Sequence, residues 1–145
     1  PHIVNLIGDV SDIPDTNPHP KNINFKKIGL DIIRAKKVVD KVVVFFHWGD
    51  GYKIEPNENQ VSLKEFCFIK GADIVIGSHP HVIQPSYWDK KNDTYVAYSL
   101  GNFMAYQSQP KTTIGLIVKM DISKNKIENV KEYMISTLLY PKRLQ

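Results

Sequence analysis

Residues 42–46 read VVVFF, an unbroken apolar run with no polar residue between its members. A strand with one wet face alternates apolar and polar side chains, so this run is expected to be buried on both faces. Strands of that kind belong to parallel sheets covered by helices, and the neighbouring sequence supplies helices. Asn24 can cap a helix reaching about Val39, whose apolar positions Ile28, Ile32, Ala35 and Val39 recur at helical spacing. A second helix is expected from about Gln60 to Lys70, with Leu63, Phe66 and Cys67 inside and Gly71 as its C-terminal cap.

Residues 2–8 (HIVNLIG) and 73–76 (DIVI) read as further buried strands, giving strand, helix, strand, helix, strand. Pro14, Pro18 and Pro20 among Asp, Asn and Ser make 9–23 an irregular loop. Beyond residue 81 the pattern shifts to strands at 82–88, 94–100, 113–122 and 127–139, joined by turns at 90–93 and 123–126. The expectation is one mixed α/β layer structure, parallel first and mainly antiparallel afterwards.

With 42% hydrophobic and 23% charged residues among 145, the composition is that of a folded globular chain. No apolar run approaches the roughly 18–20 residues of a membrane span, so a soluble chain is expected. The net charge of +4 is spread over residues such as Lys26, Lys36, Lys90 and Lys124, which read as a solvated surface. A nucleic-acid partner would call for a denser basic face and is not expected. Cys67 is the single cysteine, which excludes an internal disulfide, and its apolar setting reads as a buried small hydrophobe.

Open α/β sheets hold ligands at the carboxyl ends of their strands. The run VVVFF ends in His47-Trp48-Gly49-Asp50, and DIVIG ends in Ser78-His79-Pro80-His81. Three of the five histidines thus fall at strand ends on one expected edge. Imidazole is the commonest neutral metal ligand, and two histidines one residue apart in an extended segment would point the same way. Gly49 and Gly77 would let the backbone approach a bound ion or anion. A hydrolytic site usually adds a carboxylate. Asp50 is the best local candidate, though a solvated loop aspartate fits the residues equally well. Asp9 could reach the same edge, but a turn before the proline-rich loop is the preferred reading. Ser99 and Asn102, beside Gly101, offer polar groups for a phosphate or carboxylate oxygen.

The segments HWGDGY at 47–52, GADIVIGSHPHVIQP at 71–85 and YSLGNF at 98–103, in this order, resemble the bacterial capsule-synthesis family of CapA type. Its members include poly-γ-glutamate biosynthesis proteins. The resemblance is close over residues 38–104 and looser in the flanks. The family looks like a branch of the calcineurin-like metallophosphoesterases, which implies an α/β fold, a layered β-sandwich flanked by helices. Residues 1–140 would then be the C-terminal portion of such a domain and 141–145 a tail.

The resemblance also implies a site. His47 matches the first histidine ligand, His79 and His81 match the H-x-H pair, and Asn102 matches the asparagine of the S-L-G-N-F motif. Divalent Mn, Fe or Zn would be the cofactor, as a two-metal centre in the intact protein. Asp50 and Asn102 are the catalytic candidates. Gly51 stands where relatives commonly carry a glutamate, so an acidic contact would move to Asp50. Ser78 stands where many relatives have histidine. The family's G-D, N-L-E and N-N-H-x-x-D segments are missing, so Pro1 is expected to begin inside the domain. The implied function is a metal-dependent hydrolase in capsule or poly-γ-glutamate biosynthesis. The alternative is a non-catalytic accessory subunit of a membrane-bound synthesis or export complex. An anionic polymer or phosphorylated substrate and a bacterial cell-surface or membrane-associated location come with it.

Overall fold

A computed structural model describes residues 3–9, 24–103, 107, 109 and 111–136, with side chains from residue 24 onward. The tail 141–145 and most of the expected loop 9–23 lie outside the described residues. The elements are β1 (Ile3–Asp9), α1 (Phe25–Lys36), β2 (Lys41–His47), α2 (Glu58–Lys70), β3 (Ile74–Ser78), β4 (Ser86–Asp89), β5 (Thr94–Ala97), β6 (Ile114–Ile122) and β7 (Ile127–Ser136). One sheet has the order β1-β2-β3-β5-β4, and β6 and β7 form a second. The architecture is α/β with a mixed sheet.

Four of the five residues of the apolar run are buried, as its lack of alternation requires, while Phe45 is 37% exposed. Val42, Val44 and Phe46 pack with Ile32, Ala35, Leu63 and Cys67 in the layer between the sheet and the helices. Val43 points the other way and joins Ile74, Ile76, Tyr95, Ala97 and Ile127 beneath the β6–β7 hairpin. One strand therefore feeds two cores. The order is helices, five-stranded sheet, two-stranded sheet.

Local chemistry sets the helix ends. Asn24 Oδ1 accepts from Lys27 N at 2.9 Å, and Gly71 adopts φ 104°, the left-handed turn that closes α2. Asn57 and Gln60 form a reciprocal capping box at the start of α2. Phe66 packs edge-on against Phe25, with ring centroids 5.1 Å apart, and joins α2 to α1.

The C-terminal half departs from the expected antiparallel hairpins in two places. First, β5 pairs parallel with β3, so the parallel sheet continues past residue 81, and β4 adds the antiparallel edge. Second, residues 82–85 form no strand: only Ile83 bridges, to Leu100. His81 has φ 60°, Pro85 lacks a donor, and Gln84 turns its side chain into the core to meet Gln60.

The lysines are not all solvated. Lys41 is only 5% exposed and reaches Asp73 at 3.3 Å and Asp93. Lys36 also binds Asp73, at 2.7 Å. Asp73 accepts from Val42 N at 2.7 Å, and Asp93 accepts from Ile127 N at 2.8 Å. This network ties α1, β2 and the start of β3 to the β4–β5 turn and β7. Burial opposes the charge on Lys41, but the Asp93 hydrogen bond and the Asp73 carboxylate outweigh it and raise its pKa.

Candidate functional site

Parallel pairing brings the carboxyl ends of three strands into one row. Asp9 lies opposite His47, and His47 lies opposite Ser78. Asp9 is thus the last residue of a strand rather than part of a turn. The segments beyond the strands are bound to one another: Trp48 N donates to Ser78 O at 3.1 Å, Tyr52 N to Pro80 O at 2.7 Å, and Leu100 N to Gly77 O at 3.2 Å.

His47 and His79 meet directly. His79 Nδ1 lies 2.9 Å from His47 Nε2, with ring centroids 4.7 Å apart. Two imidazole nitrogens at that distance form a hydrogen bond when one of them carries a proton and the other does not. Ligands on a tetrahedral zinc, with Zn–N bonds of about 2.0–2.1 Å, stand roughly 3.4 Å apart. The pair is therefore within about half an ångström of the spacing two nitrogen ligands take on one ion.

His81 is separate. Its ring lies 6.1 Å from that of His79, and its Nδ1 is 2.9 Å from Asn102 Oδ1. The segment is not extended: His79 and His81 both have positive φ, at 100° and 60°. The period-2 expectation that the two side chains run parallel does not apply to such a backbone. Among the described residues, no group of three or more His, Cys, Asp or Glu side chains is gathered as a metal site. By their chemistry His47 and His79 could supply two nitrogen donors to one ion, which is fewer than a closed metal site needs.

Asp50 Oδ2 accepts from Asn57 Nδ2 at 2.9 Å, at the N-terminus of α2 where negative charge is favoured. Asn102 is 5% exposed and spans His81 and Thr112. Ser99 is fully buried, and its Oγ accepts from Gly101 N at 3.2 Å. It closes a turn and presents nothing to a ligand.

The glycines also serve packing. A Cβ on Gly77 would sit 1.9 Å from Tyr98 O and 2.2 Å from Trp48 Nε1, and one on Gly49 would meet Gln60 at 2.5 Å. Trp48 Nε1 donates to Tyr98 O at 2.8 Å, and its ring stacks on Phe46 at 4.7 Å. Burial, with smaller contributions from Glu65 and Tyr87, pushes the Tyr98 phenol up to about 12.

Residues that sequence reasoning passed over complete the site's frame. Gln60 Nε2 donates to Gln84 Oε1 at 2.8 Å, and Gln84 Nε2 donates to the carbonyls of Lys53 and Glu55. This buried relay pins the loop after β2. Its signal was legible, because Gln60, Leu63 and Cys67 follow the i, i+3, i+7 spacing of an inner helix stripe. Tyr52 stacks on His81 with centroids 6.0 Å apart. No pattern in the sequence marks that contact.

The family described as "Bacterial capsule synthesis protein PGA_cap" matches residues 8–107. The chain is 42% identical over 94 residues to the "PGA biosynthesis protein CapA" of Bacillus subtilis (strain 168), covering 65% of this chain and 24% of that protein. It is 37% identical over 86 residues to the "Capsule biosynthesis protein CapA" of Bacillus anthracis, covering 59% of this chain and 20% of that protein. The chain thus spans about a quarter or less of these curated relatives. A family match over well more than half of its length, spanning His47, His79 and His81, means that the chain belongs to the bacterial capsule synthesis protein family PGA_cap.

Proposed function

We propose that in the intact protein this sheet edge is part of a metal-dependent hydrolase site of phosphoesterase type, acting in capsule or poly-γ-glutamate biosynthesis. The observation that carries the reading is the 2.9 Å approach of His47 Nε2 to His79 Nδ1 at the carboxyl ends of adjacent parallel strands. His47 and His79 would hold an ion of the Mn, Fe or Zn type, with His81 beside them, as part of a two-metal centre. When bound, such an ion polarises a phosphoryl or carbonyl oxygen and lowers the pKa of bound water. Asn102 supports His81, and Asp50 supports the loop that leaves His47.

The layered arrangement is consistent with the C-terminal portion of a calcineurin-like metallophosphoesterase domain, and that identity of fold belongs to the same proposal. The substrate would be an anionic polymer or a phosphorylated compound, met at the cell surface beside a membrane-bound synthesis complex. Among the described residues, no helix is long and apolar enough to cross a membrane.

Metal analysis of the purified intact protein tests the reading. Near-stoichiometric Mn, Fe or Zn is expected, with most of it lost in His47→Ala and in His79→Ala. An intact protein that takes up none of the three ions would overturn it. Polymer production that survives both His79→Ala and His81→Ala would instead assign an accessory, non-catalytic role.

A further inference from the structure

The Asn102 side chain has one orientation, because its two ends face groups of different kind. Nδ2 lies 2.8 Å from the Thr112 carbonyl oxygen, which can only accept, so that end must be the amide nitrogen. Oδ1 therefore faces His81 Nδ1, at 2.9 Å, and it can only accept. A hydrogen bond there requires a proton on Nδ1. A neutral imidazole carries a single N–H, so Nε2 is left bare.

The surroundings hold this arrangement rigidly. Asn102 N donates to Ile114 O at 3.3 Å, and a Cβ on the facing Gly115 would lie 2.2 Å from Asn102 O. Thr112 is fully buried, with its Oγ1 donating to Gln109 O at 2.6 Å. Against the face of His81, Tyr52 stacks with an interplanar angle of 27°. Tyr52 has φ 66°, and its N–H donates to the carbonyl of Pro80, the residue just before His81. His81 is gripped at one nitrogen and along one face.

We infer that Asn102 is a positioning residue: it fixes His81 as the Nδ1–H tautomer and makes Nε2 the ring's one nitrogen available to a metal ion or a substrate proton. A partner on the second ring nitrogen is the usual way a protein sets which nitrogen of a histidine is offered. The purpose of the device rests on the hydrolase reading, whereas its geometry does not. It also separates the roles of the three histidines. His47 and His79 face each other, while His81 takes its orientation from an amide that does not titrate.

The test is long-range ¹H–¹⁵N correlation spectroscopy of histidine-labelled intact protein, stripped of metal and held at about pH 8.5, where an unperturbed imidazole is neutral. The wild type is expected to show His81 with a protonated Nδ1 and a bare Nε2. Asn102→Ala is expected to shift His81 toward the Nε2–H form that free imidazole side chains favour. An Nε2–H tautomer in the wild type, or no change in a folded Asn102→Ala protein, would overturn the inference. The wild-type measurement decides even if the alanine variant does not fold. Adding Zn²⁺ to the wild type separates this result from the hydrolase reading. A shift at His81 Nε2 is expected, while unchanged signals from His47, His79 and His81 would remove the metal and leave the tautomer assignment standing.

Discussion

The indole of Trp48 and the backbone carbonyl of Tyr98 are joined by a 2.8 Å hydrogen bond, and Gly77 lies against both atoms. Each of the three comes from a different segment of the family resemblance. The motifs therefore hold one another in place through packing as well as framing a site. A methyl group at residue 77 would stand 1.9 Å from a backbone oxygen that cannot swing aside. Gly77→Ala is expected to destabilise the fold by about 3 kcal/mol, at the upper end of the usual overpacking cost. The midpoint of urea unfolding checks this, and a loss below about 1 kcal/mol would show that the strand end yields more readily than its contacts suggest.

Asp93 gives the molecule an acid-sensitive tie. Burial alone would raise its pKa, but the Ile127 N–H and the Lys41 ammonium outweigh burial and hold it below the ordinary 3.8. A carboxyl lowered by folding stabilises above its unfolded value and loses that contribution as pH falls through the lowered one. Lys41, raised above 10.5, stabilises below that value and loses its share as pH rises through the raised one. The contribution of this pair is expected to be flat between about pH 5 and 9.5, falling on both sides. Asp93→Asn should cost about 1.5–3 kcal/mol near pH 7 and flatten the decline below pH 4. Unfolding midpoints measured from pH 2.5 to 8 on both proteins decide it.

The sequence spoke clearly where a local rule governs. The unbroken run at 42–46, the cap residues Asn24 and Gly71, and the two-faced burial of β2 each follow from neighbouring residues alone. The convergence of His47 and His79 on one edge was legible too, because parallel strands share a carboxyl end. Lys41 was not. Its burial depends on Asp73 and Asp93, which are brought to it by sheet pairing and by the β4–β5 turn. Likewise the backbone of the His79–His81 segment was misjudged, since positive φ at a non-glycine residue is imposed by tertiary contacts. Asn102 was legible as a candidate, but its hold on His81 was not, because its other partner, Thr112, lies ten residues further on.

Cys67 sits in the helix-facing core with no exposed surface. Burial pushes its thiol up to about 12, so almost no thiolate exists at neutral pH and none is reachable. The native protein is expected to resist a thiol-specific disulfide reagent for hours at pH 8 and to react within minutes in denaturing urea. Rapid labelling without denaturant would mean that α2 opens independently of the rest.

The Gln60–Gln84 pair is the best place to test whether the loop carrying Asp50 and Tyr52 is held from below. Gln60 and Gln84 are both 1% exposed, so each partner's polar atoms depend on the other. Replacing Gln60 by Leu strands Gln84 Oε1 and removes the acceptor for Asn57 N. Leaving buried polar groups unpaired costs about 1–3 kcal/mol. Gln84→Leu additionally releases the carbonyls of Lys53 and Glu55 and should cost at least as much. The double variant no longer strands either amide against the other, so its loss should fall short of the sum by about 1 kcal/mol or more. Strict additivity in a double-mutant cycle of unfolding free energies would show that the two amides do not support each other.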